Sequence, residues 1–150
     1  MAVRFAALVF VVALTACKPA MPKKVRFIDA PREPAIIEKL VLEQVAASKA
    51  VDRTLVVYAG ASWCEPCRRF HEAADRGDLN AQFGDVDFLA FDVDIDNERL
   101  AYGNYDTAML PMIALPGEDG KASSKIMSGS VKGDGAVQEM TPRLKALLGR

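Results

Sequence analysis

Metal-binding chemistry is scarce in this chain, which has one histidine and three cysteines. Zinc sites usually take four ligands, as two CxxC pairs or one CxxC with two histidines. Neither set is present. Charge of one sign is missing too. Nineteen Lys and Arg face twenty Asp and Glu, a net charge of −1, so nothing points to nucleic acid. The run Phe5 to Leu14 is apolar for ten residues, short of the ~20 that a membrane-spanning helix needs. There is no internal repeat and no low-complexity tract. At 150 residues and 51% hydrophobic, the chain holds one domain plus extensions, with enough apolar surface for a core.

The chemistry concentrates in Ala61-Ser62-Trp63-Cys64-Glu65-Pro66-Cys67. The apolar run Leu55 to Ala59 before it reads as a buried strand. Arg68 to Ala74 after it reads as a helix. The cysteine pair therefore sits where a strand hands over to a helix N-terminus. Helix N-terminal N–H groups and the macrodipole favour negative charge. A thiol placed there is pushed toward thiolate, the species that attacks disulfides. Pro66 suits a first helical turn, where its missing N–H costs nothing. The other readings of the pair are an inert disulfide staple or part of a metal site.

Trp-Cys-x-Pro-Cys between a hydrophobic strand and a helix resembles the thioredoxin active site, and a weaker likeness extends from about Asp52 to the C-terminus. The resemblance implies that Cys64 attacks and Cys67 resolves, with Trp63 packed beside them. It implies an α/β thioredoxin fold, a central mixed sheet with helices on both faces. It also implies that Pro111, in Leu110-Pro111-Met112, is cis and faces the pair. That would leave the Leu110 backbone free to bond an incoming peptide as an added strand. The implied activity is that of a thiol–disulfide oxidoreductase exchanging disulfides with protein substrates. It needs no cofactor beyond the Cys64–Cys67 disulfide, and no residue is assigned to a metal.

Two departures from the pattern carry chemistry. Many thioredoxins have a buried aspartate six residues before the first active cysteine, and Tyr58 stands there. A phenol is a poor base at neutral pH. Asp92 and Asp94 are either substitutes or surface acids. Glu65 stands where common thioredoxins have glycine. Cys-Glu-Pro-Cys is similar to the motif of membrane-tethered thioredoxins that reduce apocytochrome c. A carboxylate beside Cys64 disfavours the thiolate and makes the couple more reducing, while Arg68 and Arg69 oppose this. We expect a reductant, since strong periplasmic oxidants carry histidine between the cysteines.

His71 shares the helical stripe of Cys64 and Cys67. Cys-x2-Cys-x3-His offers three ligands for copper or zinc, so a copper-binding or copper-delivery module is an alternative. We read His71 itself as a helix-surface histidine. A non-catalytic lipoprotein on a thioredoxin scaffold is the other alternative. Covalent c-type haem is excluded, because CxxCH would need histidine where Arg68 stands.

Residues 1–16 read as a signal peptide, with Arg4 before the apolar run. Leu14-Thr15-Ala16-Cys17 resembles the bacterial lipobox, which implies cleavage before Cys17 and acylation of that cysteine. Two or more chains hold a protein stably on a membrane. The domain then faces the periplasm or another extracytoplasmic space, where disulfides persist. Lys18 replaces the aspartate of the inner-membrane retention signal, which leans toward the outer membrane. Sustained reduction there requires an electron donor, for which a membrane thiol transporter is the expected partner. Residues 17–34, with four prolines and five basic residues, read as a tether reaching at most about 55–60 Å. Its basic residues either touch anionic headgroups or are simply solvated.

Residues 35–150 are assigned to the thioredoxin-like domain. A helix is expected over Ala35–Ala47, with Pro34 in its first turn. Strands are expected over Thr54–Ala59, Val86–Val93, Leu110–Leu115 and Lys125–Ser128, and a short edge strand near Val25–Ile28. Asp78 is expected to cap a short helical piece, and Asp96 or Asn97 a helix to about Tyr102. In the last helix, about Ala136 to Leu148, Pro142 either kinks the helix or marks its start with Thr141 as cap.

Overall fold

The computed structural model describes residues 23–33 and 35–150. Cys17, the signal peptide, most of the tether and Pro34 lie outside the described residues. Among those described, no helix is long and apolar enough to cross a membrane.

The elements in chain order are β1 (Arg26–Asp29), α1 (Ile37–Lys49), β2 (Thr54–Gly60), α2 (Glu65–Asp75), α3 (Asn80–Phe83), β3 (Val86–Asp92), α4 (Val93–Tyr102), β4 (Met112–Pro116), β5 (Ala122–Ser128) and α5 (Ala136–Leu147). The five strands form one sheet in the order β1-β3-β2-β4-β5. The pairs β1–β3 and β3–β2 are parallel. The pairs β2–β4 and β4–β5 are antiparallel.

The central strand β2 is buried from Leu55 to Gly60, and its side chains alternate between faces with period two. Val56 and Tyr58 join Phe88 and Ile113 under Phe70 of α2 and Met140 and Leu144 of α5. Leu55, Val57 and Ala59 join Leu89, Met112 and Ala114 under Ile37 and Val41 of α1 and Leu100 of α4. A strand covered on both faces must be apolar on both, which explains the unbroken run in the sequence. The three layers and this strand order are the α/β thioredoxin-like fold implied by the motif.

Several boundaries depart from the sequence reading. The short edge strand expected near Val25–Ile28 forms as β1, at Arg26–Asp29, so the sheet begins within the stretch assigned to the tether. Phe27 secures it there, stacking on Phe88 at 4.8 Å between ring centroids. Asp92, rather than Asp96 or Asn97, caps α4, because β3 runs into the helix without a loop. Its carboxylate accepts the Asp94 N–H at 3.0 Å. Asp96 reaches back from inside the helix to the Asp92 N–H at 3.0 Å. Asp78 caps nothing, since α3 begins after Leu79, and its carboxylate pairs with Arg76 instead.

Pro142 is inside α5 and Thr141 is not its cap. The Thr141 hydroxyl donates to the Val137 carbonyl at 2.7 Å. Met140 before the proline and Leu144 and Leu147 after it are all buried. Their packing holds the helix across a residue that disfavours it. Pro111 precedes β4 rather than starting it, and the Leu110–Pro111 peptide bond is cis. The β4–β5 turn requires glycine at Gly120, where φ is +80° and an added Cβ would strike the Glu38 carbonyl.

At the end of the sheet remote from the cysteines, Asp87 is fully buried on β3. It accepts from Arg26 at 2.6 Å and Ser48 at 2.7 Å, and from Arg53. One carboxylate thus ties β1, α1 and the entry to β2 onto β3.

Candidate functional site

Cys64 is the N-cap of α2, with extended backbone (φ −78°, ψ 104°). Glu65 and Pro66 form the first helical positions, and the proline's missing N–H leaves no donor orphaned there. The sulfurs are joined, with 5.2 Å between the Cα atoms. The Cys67 N–H donates to Cys64 Sγ at 3.3 Å. On reduction the same N–H and the helix N-terminus stabilise negative charge on Cys64. Both cysteines are nearly covered, at 5% and 2% exposed. Neighbouring recesses therefore decide what reaches each sulfur.

Among the described residues, each cysteine lines a different recess. Cys64 lines a groove of about 490 Å³ with Trp63, Pro66, Val93, Leu110 and Lys132. Cys67 lines a separate cavity of about 550 Å³ with Tyr58, Arg68, His71, Asp92 and Asp96. The groove takes its walls from α2, from Leu110 before β4 and from the segment before α5. The cavity lies between α2, the end of β2 and the start of α4.

Glu65 is anchored rather than free beside Cys64. It accepts from Arg69 Nε at 2.8 Å and from the Gly133 N–H at 2.9 Å. The Arg69 hydrogen bond first, and then the Gly133 N–H, hold its carboxyl below the usual range. Arg69 also pairs with Asp134 at 2.6 Å. The charge that the sequence sets against the Cys64 thiolate is thus met by a guanidinium one turn along the helix. Nothing local in the sequence signals the Gly133 contact.

Trp63 is 67% exposed. Its indole N–H donates to the Asp94 carboxylate at 3.0–3.1 Å. Asp94 is therefore an exposed acid that positions the tryptophan. Asp92 is exposed at the mouth of the second cavity and committed to capping α4. Tyr58 is 2% exposed, and its hydroxyl is buried with no hydrogen-bond partner among the described residues. Burial pushes its pKa well above the ordinary phenol value. Two residues on, Gly60 leaves room for it, since a Cβ there would lie 2.8 Å from that hydroxyl.

His71 is not the helix-surface residue expected from spacing. It is half-buried, with its ring 3.9 Å from that of Phe27 and edge-on to Tyr58 at 5.1 Å. The helical stripe was legible, but the cover comes from β1, which lies 44 residues earlier at Phe27. Burial lowers its pKa, opposed by Asp75 and Asp29. Among the described residues, no group of three or more His, Cys, Asp or Glu side chains is arranged to hold a metal ion.

No family model matches the chain, and no curated protein matches it. Its structure is similar to that of thioredoxin O1 from Arabidopsis thaliana in the oxidized state. That match has 18% identity and a TM-score of 0.48, and covers 85% of this chain and 96% of that one. It is also similar to thioredoxin NaTrxh from Nicotiana alata, with 21% identity and a TM-score of 0.45, covering 75% and 86%. The strand order and the disulfide at the start of α2 make this a thioredoxin-like domain with a CxxC disulfide, consistent with thiol–disulfide exchange.

Proposed function

We propose that this protein is an extracytoplasmic thiol–disulfide oxidoreductase, anchored to a bacterial membrane through acylated Cys17 and working on protein substrates in the reducing direction. The observation that carries the exchange chemistry is Cys64 at the N-cap of α2, its sulfur accepting the Cys67 N–H at 3.3 Å beside an open groove. That arrangement stabilises a thiolate on the cysteine that faces the groove.

In the reducing direction, the Cys64 thiolate attacks a substrate disulfide. One substrate sulfur leaves as thiolate and the other joins Cys64 in a mixed disulfide. Cys67, having lost its proton, attacks Cys64 Sγ and the second substrate thiolate leaves. The substrate gains two electrons and the protein is left with the Cys64–Cys67 disulfide. Leu110 lies along the groove, where its backbone offers an extended substrate strand-like pairing. A membrane thiol donor restores the dithiol. The apolar leader and the residues preceding Cys17 support the anchored, exported placement.

The test is the reduction potential of the pair in the full-length protein in detergent, equilibrated in dithiothreitol and glutathione buffers. A value near about −270 mV supports the reductant; one near about −120 mV reverses the direction. Failure to form the disulfide at any poise would sink the exchange chemistry altogether.

A further inference from the structure

The resolving step needs a base, because the thiolate and not the thiol attacks. Cys67 is 2% exposed and does not line the groove that serves Cys64. Its proton must leave by the other recess. That recess is the cavity of about 550 Å³, large enough to hold water, and Tyr58 and His71 line it with Cys67. Tyr58 lines this cavity, and its hydroxyl is buried without a partner among the described residues. A buried hydroxyl of this kind takes its hydrogen bond from an internal water. His71 is four residues from Cys67 on α2, so the two side chains share one face of the helix at neighbouring turns.

We propose that His71 is the proton acceptor for Cys67, through water held in this cavity by the Tyr58 hydroxyl. The inference rests on the thiol-exchange reading. In the step, the Cys67 thiol proton passes along water to a His71 ring nitrogen. The Cys67 sulfur then bonds to Cys64 Sγ. The bond between Cys64 and the substrate sulfur breaks, its electron pair leaves on that sulfur, and the imidazolium later returns its proton to solvent. The protein dithiol is oxidised and the substrate disulfide reduced.

The other ionisable groups of the cavity are less suited. Tyr58 is a phenol pushed further from neutrality by burial. Asp92 is bound to the Asp94 N–H. Asp96 is bound to the Asp92 N–H and Arg99. Arg32 and Arg68 are already protonated and offer no lone pair to accept a proton. Asp29 and Asp75 are the charges that bear on His71 itself, and burial outweighs them. His71 is therefore neutral, and able to accept a proton, at neutral pH. Phe27 of β1 packs against its ring, with 3.9 Å between centroids.

The experiment separates the two sulfurs by stopped flow. Reduced full-length protein in detergent is mixed with excess Ellman's reagent across about pH 5–9. A first thionitrobenzoate is released by Cys64, and a second, first-order and independent of reagent concentration, by Cys67. In the unmodified protein the second phase should rise with an inflection below about 6.5, the ordinary histidine value, and then level off. In His71→Gln the inflection should move to about 8.5 or above, that of an unassisted thiol. The rate at pH 7 should fall about 30-fold, since a thiol of pKa about 8.5 is only about 3% ionised there, with the first phase unchanged. Tyr58→Phe should lower the plateau without moving the inflection.

A second phase in His71→Gln with the unmodified profile would overturn the inference and leave the exchange reading standing. So would an inflection that moves in Asp92→Asn instead. The profile of the unmodified protein decides the matter even if His71→Gln does not fold, because an inflection only at about 8.5 excludes a histidine base. Absence of both phases would overturn the exchange reading itself.

Discussion

Glu65 accepts the Gly133 backbone N–H at 2.9 Å, so the residue between the two cysteines is bonded to one 68 positions away in the segment before α5. The same carboxylate holds Arg69 at 2.8 Å. Glu65→Gln should leave Arg69 paired with exposed Asp134 alone, so the positive charge of Arg68 and Arg69 at the start of α2 is less compensated. The Cys64 thiolate gains stability, and the couple becomes less reducing by about 10–30 mV. The potential measured in glutathione buffers checks this, and a shift to more negative values would contradict the ion pairing described above.

The two cysteines should fail in different ways. Cys64→Ser removes the sulfur that lines the groove and should abolish disulfide reduction to the level of buffer alone. Cys67→Ser keeps the attacking sulfur and should accumulate a mixed disulfide with substrate. Intact mass spectrometry distinguishes the outcomes. Equal trapping by both variants would remove the assignment of roles.

Asp87 should carry much of the stability at the far end of the sheet. Its side chain is fully buried, and that of Arg53 is only 7% exposed. Asp87→Ala leaves the Arg53 guanidinium buried without its partner, at a cost of about 3–5 kcal/mol. The melting temperature should drop by roughly 6–20 °C.

Acid should act on the same group. Burial alone would raise the Asp87 pKa, but the hydrogen bonds from Arg26, Ser48 and Arg53 outweigh it and hold the folded value below 3.8. The unfolded state then binds the proton more readily, so this stabilisation is complete above about pH 4 and lost as pH falls through the folded value. Denaturant midpoints measured between about pH 2.5 and 6 should fall steeply at the acid end. The slope should flatten in Asp87→Ala.

Trp63 is the single tryptophan and lines the groove with Cys64, so its fluorescence reports this site alone. Reduction of the disulfide should change its emission. Asp94→Ala frees the indole N–H and should shift that emission. It should also raise KM for a protein disulfide by about two- to five-fold, with kcat nearly unchanged. A loss confined to kcat would mean that Asp94 acts on the chemistry and not on the tryptophan.

The strand before the cysteines and the helix after them were legible because each signal is local. Six consecutive buried positions in β2 need six residues that tolerate burial, and Pro66 suits only the first turn of the helix, which begins at Glu65. The helix caps were less legible. Asp92, Asp96 and Asn97 all suit an N-cap, and the choice depends on where β3 stops pairing, which its partners decide. The choice left open at Thr141 and Pro142 has a similar cause. Buried Met140, Leu144 and Leu147 keep α5 continuous through a proline that local preference would treat as a boundary.

By itself the sequence determined the cysteine pair, its place at a helix start and the alternation that builds the sheet, because all of these depend on residues close together in the chain. Only the tertiary structure decided the surroundings of that pair. It placed Cys64 on one recess and Cys67 on another, turned Glu65 toward Gly133, and covered His71 with Phe27. Each of these joins residues from elements distant in the chain. The physical reason is that spacing along a helix fixes which side chains share a face, but not what packs against that face.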